Sequence, residues 1–277
     1  MRIARTLVEL RDATGALRAA RGALALVPTM GALHDGHRAL VRAAVESGAA
    51  TVASIFVNPL QFGATEDLSR YPRDEAGDLA TLNASGCDLV WMPDVATMYP
   101  PGDATTIGVA GPAENWEGAA RPGHFRGVAT VCAKLFGQVR ADRAYFGEKD
   151  WQQLQVVRRM VDDLHLPLSI VPVQTVREAN GLALSSRNRF LSEAERARAP
   201  LLYQALVETA RALADDRDAE APLSSARARL TDAGFEVDYF ALVDGPSLTE
   251  IPRPTNGARL IAAARLGSVR LLDNAAA

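Results

Sequence analysis

The chain has 277 residues, of which 48% are hydrophobic and 23% are charged, and its formal net charge is -3. This composition is typical of a soluble globular protein with room for one large domain or two ordinary ones. The small negative charge excludes a general affinity for nucleic acid or anionic membranes, so local groups must hold any anionic ligand.

The N-terminal segment and the cysteines indicate where the protein works. Residues 1–22 alternate charged with apolar positions, a pattern that predicts neither a secretory signal peptide nor a membrane-spanning helix. Cys87 and Cys132 are the only two cysteines, and each lies in an apolar context. Two isolated cysteines make neither a disulfide framework nor a metal site, so the sequence predicts a reducing, cytoplasmic compartment.

Strand-like and helix-like segments alternate through the first 175 residues. Apolar runs predict strands at 24–28, 50–57, 87–93, 142–147 and 169–176. Helical patterns separate them at 38–45, 74–86, 124–139 and 149–164. Strands that alternate with helices of this length predict βαβ units around a parallel sheet, and therefore an α/β fold.

The composition changes after residue 192. Residues 193–233 are rich in Ala, Arg and Glu and predict two helices with a break between 215 and 222. Residues 235–244 and 258–266 then alternate as an antiparallel pair of strands would. We therefore predict two domains: residues 1–176 with the parallel sheet, and residues 177–277 as a smaller α+β domain.

Two histidines, His34 and His37, lie where the first predicted strand gives way to a helix, in the sequence PTMGALHDGH at 28–37. They could bind a metal, but a zinc site needs three or four ligands, and no nearby Cys, Asp or Glu pattern supplies them. Alternatively, one could cap the helix while the other packs. A third interpretation is an anion site, because a helix N-terminus exposes backbone N–H groups. Gly31 and Gly36 would let the backbone approach a phosphate, so we favour this phosphate cradle.

Two further polar loops follow predicted strands, NPLQFG at 58–63 and GEKD at 147–150. Sheets of this kind bind ligands at the carboxyl ends of their strands, near helix N-termini. If the sheet is doubly wound, these loops and the histidine turn therefore converge on one site.

Several of these stretches resemble a known family. MGALHDGH resembles the HIGH motif of the nucleotidylyl-transferase superfamily, and LALSSRN resembles its KMSKS-like loop. The longer stretches resemble the pantoate–β-alanine ligase family: SIFVNPLQFG, RPGHFRGVATVCAKLF, DRAYFGEKDWQQLQVVRRMV and REANGLALSSRNRFLS. The resemblance extends along the chain and is densest between residues 28 and 192.

This resemblance implies a fold and an activity. The fold is a Rossmann-like parallel-sheet domain followed by a smaller C-terminal domain that acts as a lid. The activity is condensation of pantoate with β-alanine, using ATP and Mg²⁺, through a pantoyl-adenylate, with pantothenate, AMP and pyrophosphate as products. The resemblance further implies a homodimer whose other partners are small molecules.

The same resemblance assigns roles to single residues. His34, His37 and Lys149 are the catalytic residues. The residues assigned to ATP are Met30, Gly36, Gly147, Lys149, Asp150, Val176, Leu184, Ser185, Ser186 and Arg187. Those assigned to pantoate are Gln61 and Gln153, and those near the adenylate and the second substrate are Asn58 and Arg121. No residue is assigned to Mg²⁺, because this ion often binds mostly through phosphates and water.

The residue types leave other interpretations open. Lys149 could be an ordinary solvated lysine, Ser185–Asn188 a helix cap, and the glutamines could face water. Phe56 and Val131 suit an apolar wall of the pantoate pocket but also suit a core. Three positions depart from the family pattern without removing a catalytic group: Asp35 for Glu, Trp151 for Tyr and Asn180 for Asp.

Two rival functions are a nucleotidylyltransferase that stops after nucleotide transfer and a non-enzymatic nucleotide sensor. Gln61 and Gln153 argue against the first, because they suit a small polar acid. His34, His37, Lys149 and Arg187 together argue against the second. The polar loop at 179–188, hinged near Gly181, is predicted to close the site during the reaction.

Overall fold

A computed structural model describes residues 1–63, 68, 71–215 and 218–277. The chain divides into two compact units, the first formed by Met1–Glu148 and Gln153–Gln174, the second by Lys149–Gln152 and Thr175–Ala277. The short segment Lys149–Gln152 thus belongs to the second unit, although the first unit continues after it. The domain boundary after residue 176 stays a prediction.

The first unit is built on a parallel sheet, which confirms the predicted α/β class. Its strands are β1 (Arg2–Ala4), β2 (Leu24–Thr29), β3 (Ala50–Ile55), β4 (Leu89–Trp91), β5 (Arg143–Gly147) and β6 (Ser169–Val173). They are arranged in the order β1-β4-β3-β2-β5-β6. The chain leaves β2 toward β3 on one side and later reaches β5 on the other. The carboxyl ends of β3, β2 and β5 therefore lie side by side, as the three polar loops require.

The helices of the first unit cover the sheet. They are α1 (Leu7–Arg21), α2 (Asp35–Glu46), α3 (Glu75–Ala84), α4 (Val95–Met98), α5 (Glu117–Ala120), α6 (His124–Val139) and α7 (Trp151–Asp163), whose first two residues belong to the second unit. Strands covered on both faces read as continuous apolar runs, and Leu24–Val27 are accordingly buried. Predicted strands at 24–28 and 50–57 are recognisable for this reason. The edge strand β1 was missed because three residues give no periodicity.

The second unit contains an antiparallel sheet in the order β7-β8-β9. Its strands are β7 (Glu236–Asp244), β8 (Ala258–Leu266) and β9 (Val269–Ala276), and its helices are α8 (Glu193–Arg198), α9 (Leu201–Asp215) and α10 (Glu220–Asp232). The predicted antiparallel pair is confirmed, and β9 extends it. The two predicted helices are three, because Pro200 interrupts the first. The break predicted between 215 and 222 lies partly outside the described residues.

Both cysteines are buried and free. Burial raises the pKa of the Cys87 thiol to about 11 and that of the Cys132 thiol, inside α6, to about 12. Such thiols stay protonated at neutral pH and are poor nucleophiles. Separately, no helix in the described part of the chain combines the length and apolar character needed to cross a membrane.

Candidate active site

The turn after β2 carries both predicted histidines. His34 is the N-cap of α2, and its Nδ1 accepts a hydrogen bond from the N–H of Gly36 at 3.1 Å. His37 lies in the first turn, and its Nδ1 accepts from the backbone N–H of His34 at 3.3 Å. The two ring centroids are 4.1 Å apart. Both histidines therefore cap α2, whereas the sequence suggested capping by only one of them.

The capping bonds decide which ring nitrogen carries the proton. A neutral imidazole whose Nδ1 accepts from an N–H group must carry its hydrogen on Nε2. Both His34 and His37 are thus Nε2–H donors at a helix N-terminus, where the partial positive charge favours an anion. Capping and anion binding use different nitrogens, so the two roles are compatible.

Asp78 of α3 holds the shape of this turn, a role that the sequence did not reveal. Its buried carboxylate accepts hydrogen bonds from the N–H groups of Ala32 at 2.9 Å and Leu33 at 2.8 Å. Gly31 has a φ of 80°, and a Cβ there would lie 2.8 Å from Asp78 Oδ2. This glycine therefore serves the turn geometry and the approach of Asp78. No spacing in the α3 sequence distinguishes Asp78 from an ordinary helix-surface carboxylate.

Asn58 and Gln61 lie in the loop after β3, and both side chains are buried. Asn58 Nδ2 donates to Gln61 Oε1 at 3.1 Å, and Gln61 Nε2 contacts Met30 Sδ at 2.8 Å. The structure thus links Met30 of the histidine turn to two residues predicted to bind the substrate. Gln61 is not a glutamine that faces water.

Arg121 joins the same network through a residue that the sequence analysis did not single out, His124. Arg121 Nη1 lies 3.0 Å from His124 Nε2, and His124 Nδ1 lies 2.8 Å from the carbonyl oxygen of Gln61. Since a guanidinium only donates and a carbonyl only accepts, His124 carries its proton on Nδ1. His124 stands in RPGHFRG, three residues after the predicted Arg121, and this short spacing was the sequence signal that could have pointed to it.

The remaining predicted residues of the first unit occupy nearby elements. Gly147 ends β5, the strand beside β2, and Gln153 is half-buried near the start of α7. Phe56 and Val131, the expected apolar wall, are both buried. Phe56 contacts the ring of Tyr99, with centroids 6.1 Å apart.

In the second unit, Lys149 and Asp150 form a short turn before α7. Lys149 Nζ lies 3.8 Å from Asp150 Oδ1, and the Lys149 side chain is only 19% exposed. An ordinary solvated lysine would be more exposed, so that alternative fits poorly. Trp151 donates from its indole N–H to the carbonyl oxygen of Gly245 at 2.8 Å.

The loop of the second unit that resembles KMSKS is held at its base. Arg177 makes a two-pronged ion pair with buried Asp273 at 2.6 and 2.8 Å. The backbone N–H of Leu184 donates to the carbonyl oxygen of Val176 at 3.0 Å. These contacts hold the two ends of the segment between Val176 and Leu184, directly before Ser185.

Ser185 and Arg187 follow this base. Ser185 Oγ accepts from the N–H of Arg187 at 3.3 Å and caps a 3-10 helix, Ser186–Phe190. The capping role is therefore realised here as well. Ser186 is half-buried and Arg187 is exposed, as suits a guanidinium that meets an anionic ligand.

Together, the site residues of the first unit present N–H donors and few acceptors at the carboxyl edge of the sheet. The donors are the imidazole Nε2–H groups, the N-terminus of α2 and the Gln61 amide. Such a set suits an oxygen-rich anion such as a phosphate or carboxylate. Among the described residues, no three His, Cys, Asp or Glu side chains are placed to hold a metal ion.

The fold and these donors define a class of protein: an α/β protein with a Rossmann-like sheet and an anion-binding turn at its carboxyl edge. The family model described as pantoate-beta-alanine ligase matches residues 2–276. The chain belongs to the pantoate–β-alanine ligase family and is a ligase of pantothenate biosynthesis.

Named relatives and solved structures agree. Pantothenate synthetase of Granulibacter bethesdensis is 60% identical over 276 residues, which cover 99% of this chain and 96% of the relative. That of Acidiphilium cryptum is 58% identical over the full length of both chains. The crystal structure of pantothenate synthetase from Thermus thermophilus matches with a TM-score of 0.94 and 49% identity, covering 99% of each chain. Pantoate-beta-alanine ligase from Francisella tularensis, complexed with beta-gamma ATP and beta-alanine, matches with a TM-score of 0.83 and 30% identity, covering 100% of this chain and 97% of that one.

Proposed function

We propose that this ligase joins pantoate to β-alanine in two steps at the expense of ATP. In the first step a carboxylate oxygen of pantoate attacks the α-phosphorus of ATP, and pyrophosphate leaves. In the second step the β-alanine amine attacks the acyl carbon of the pantoyl-adenylate, AMP leaves, and the amine loses a proton. The products are pantothenate, AMP and pyrophosphate.

The pair of Nε2–H imidazoles at the start of α2 carries this proposal. Transfer at phosphorus needs positioning and charge stabilisation more than covalent help from the protein. His34 and His37 supply two preorganised donors for the negative charge that grows on the phosphate oxygens. Their Nδ1 atoms are occupied by backbone N–H groups, so neither ring needs to reorient during the reaction.

ATP is proposed to use further residues, in line with the ATP complex of the Francisella tularensis ligase. Lys149, Ser185, Ser186 and Arg187 bind the triphosphate, and Gly147 and Asp150 the ribose. Mg²⁺ bound together with ATP would neutralise charge on the leaving pyrophosphate. An ion held through phosphates and water would need no cluster of protein ligands. The backbone around Met30, Gly36, Val176 and Leu184 completes the proposed nucleotide contacts.

Pantoate is proposed to bind Gln61 and Gln153, beside Phe56 and Val131. Gln61 Nε2 contacts the thioether sulfur of Met30, which is a weak acceptor. An oxygen of the substrate would be a stronger acceptor for the same N–H group. Arg121 is proposed to serve the adenylate and β-alanine, and Asn58, whose buried amide is fully hydrogen-bonded within the protein, is proposed to lie beside them. In the second step the anhydride is already activated, so exclusion of water matters more than a strong base.

The experiment that tests this function is release of AMP from MgATP, with pantoate and β-alanine each added or omitted. We expect AMP only when both are present, and pyrophosphate exchange into ATP with pantoate alone. AMP release or nucleotide transfer that ignores pantoate would overturn the proposal in favour of another acceptor, as for a nucleotidylyltransferase. A chain that binds ATP without turnover under any combination would be a nucleotide sensor.

Three further expectations stay proposals: a cytoplasmic location, from the two isolated cysteines; a homodimer, from the family; and closure of the loop at 179–188. Light scattering during gel filtration tests the dimer. Limited trypsin cleavage after Arg187 or Arg189 tests the loop, because a closed loop is protected from protease. Unchanged cleavage when ATP and pantoate are added contradicts closure.

A further inference from the structure

A chain of three polar side chains in the first unit leads from Tyr99 through Asn58 to Gln61. The Tyr99 hydroxyl donates to Asn58 Oδ1 at 2.8 Å, and Asn58 Nδ2 donates to Gln61 Oε1 at 3.1 Å. Tyr99 directly follows α4 and is separated from Asn58 by 41 positions. Tyr99 plays no part in the proposed chemistry, so we consider its hydrogen bond to Asn58.

Two backbone groups fix the orientation of the Asn58 amide. The N–H of Leu60 donates to Asn58 Oδ1 at 3.2 Å, and Asn58 Nδ2 donates to the carbonyl oxygen of Gly127 at 3.0 Å. A backbone N–H can only donate and a carbonyl can only accept, so the oxygen and nitrogen of this amide are identified without ambiguity. Asn58 is 1% exposed. A reversed amide would therefore bury its nitrogen against the N–H of Leu60 and its oxygen against the carbonyl of Gly127, with neither hydrogen bond made.

The orientation of Asn58 in turn decides that of Gln61. Because Asn58 presents a donor, the Gln61 atom that faces it must be the acceptor, Oε1. The Gln61 nitrogen, Nε2, therefore points the other way, where it meets Met30 Sδ at 2.8 Å. Gln61 thus offers its ligand N–H donors, and a ligand group that is itself a donor is disfavoured there.

Tyr99 completes the set of donors on Asn58 Oδ1 and is held in place from several sides. Its ring contacts Phe56, and Lys134 Nζ lies 5.0 Å from its centroid. Burial, helped by the nearby Asp103 carboxylate, raises the pKa of the Tyr99 hydroxyl well above its ordinary value. The hydroxyl therefore stays protonated, and able to donate, at neutral pH and well above it.

We propose that Tyr99 is a positioning residue for pantoate: through Asn58 it holds the Gln61 amide with its N–H donors toward an acceptor oxygen of the substrate. This inference rests on the proposed role of Gln61 in pantoate binding. Tyr99 acts without touching the substrate.

The test is Tyr99→Phe, which removes one oxygen atom and keeps the ring. Loss of a hydrogen bond of typical net strength should raise the KM for pantoate about two- to tenfold. The KM for ATP should stay unchanged, since the relay ends at Gln61. Thr14→Val is the matched control, because it removes a buried hydroxyl of the same unit whose bond to Leu10 at 2.8 Å stays within α1.

A double-mutant cycle with Gln61→Ala shows whether Tyr99 acts through Gln61. We expect Tyr99→Phe to raise the pantoate KM in the wild-type background and to have no effect when Gln61 is already Ala. An equal effect in both backgrounds, or a lowered Tm without any change in pantoate KM, overturns the positioning role and leaves the proposed function intact. An unchanged pantoate KM for Gln61→Ala removes Gln61 from the pantoate site and with it the positioning role of Tyr99, whereas the two-step reaction is refuted only by AMP release that ignores pantoate.

Discussion

Asn274 donates a hydrogen bond from Nδ2 to the backbone carbonyl oxygen of Lys149, 2.9 Å away and 125 positions earlier in the chain. Asn274 Oδ1 is itself held by Arg259 Nε at 2.7 Å, and the Arg259 guanidinium lies 3.5 Å from the centre of the Trp151 ring. The adjacent Asp273 pairs with Arg177 at the base of the loop before Ser185. Two neighbouring residues of β9 thus anchor both segments of the second unit that are proposed to bind triphosphate.

Asn274→Ala should therefore weaken the use of ATP. With its carbonyl anchor gone, Lys149 samples more positions, and we expect kcat/KM for ATP to fall about five- to tenfold, the equivalent of about one hydrogen bond. Pyrophosphate exchange at varied ATP concentrations measures the effect. Asn256→Ala, at an exposed position of the same unit, is the control. Equal ATP kinetics for both variants would show that this anchor does not matter for catalysis.

His34 can be tested with two substitutions that separate its two roles. His34→Ala loses both the N-cap and the Nε2–H donor, whereas His34→Asn keeps an N-cap acceptor. Both should slow adenylate formation by about 10²–10³, the usual cost of one preorganised donor to transition-state charge. Only His34→Ala should also lose about 0.5–2 kcal/mol of stability. Single-turnover rates and thermal melts measure the two effects. A normal rate for His34→Asn would show that His34 only caps the helix and takes no part in catalysis.

Gly127→Ala tests the close approach of α6 to the loop that carries Gln61. A Cβ at this position would lie 2.2 Å from the carbonyl oxygen of Leu60 and 2.6 Å from the nitrogen of Gln61. Backbone must move to relieve such contacts, at a cost of about 1–3 kcal/mol, and pantoate affinity should fall with it. Gly137→Ala is the control on the same helix, because a Cβ there has nothing within 4 Å. It should be neutral or stabilise the protein by up to about 1 kcal/mol; similar melts for both variants would contradict the predicted clash.

The buried Cys132 predicts a loss of stability at alkaline pH. Burial raises its pKa from 9.0 to about 12, so above pH 9 the unfolded chain releases a proton that the folded chain keeps. The stabilising contribution is complete below pH 9 and disappears as the pH rises toward 12. Cys132→Ala, which lacks this group, should be less stable than wild type at pH 7, with a gap that narrows above pH 9. Melting temperatures between pH 7 and 10.5 measure the gap, and a constant gap would contradict the prediction.

The sequence predicted the parts of the fold that have a strong local signal. The segment 124–139 was predicted as a helix and is α6 with the same bounds, since its apolar face recurs over four turns. β9 was missed because LLDNAA lacks clear alternation, and this strand holds the Asp273–Asn274 pair. Asp78 and Tyr99 were missed for a related reason: each acts on a residue far away in the chain, and no spacing records such a contact.

The site predictions that came from the family resemblance concern single side chains, and the structure adds what supports them. Capping by one of the two histidines could be considered from the sequence, but the tautomer of each depends on which backbone N–H its Nδ1 meets. The orientation of Gln61 likewise depends on Gly127, 66 positions later in the chain. Residue types were therefore predictable, whereas the direction of each hydrogen bond required coordinates.

The family resemblance predicts a tyrosine at the position of Trp151, whose indole N–H donates to Gly245 and whose ring lies against the Arg259 guanidinium. Indole emission is sensitive to the position of a nearby cation and to the polarity around the ring. Trp151 is two residues from Lys149. Arg259, which lies against the Trp151 ring, also holds Asn274, the residue that bonds the Lys149 carbonyl. The fluorescence of the unlabelled protein should therefore change when a nucleotide binds. This chain thus has a built-in optical reporter at a position where a tyrosine-bearing relative would give a weaker signal.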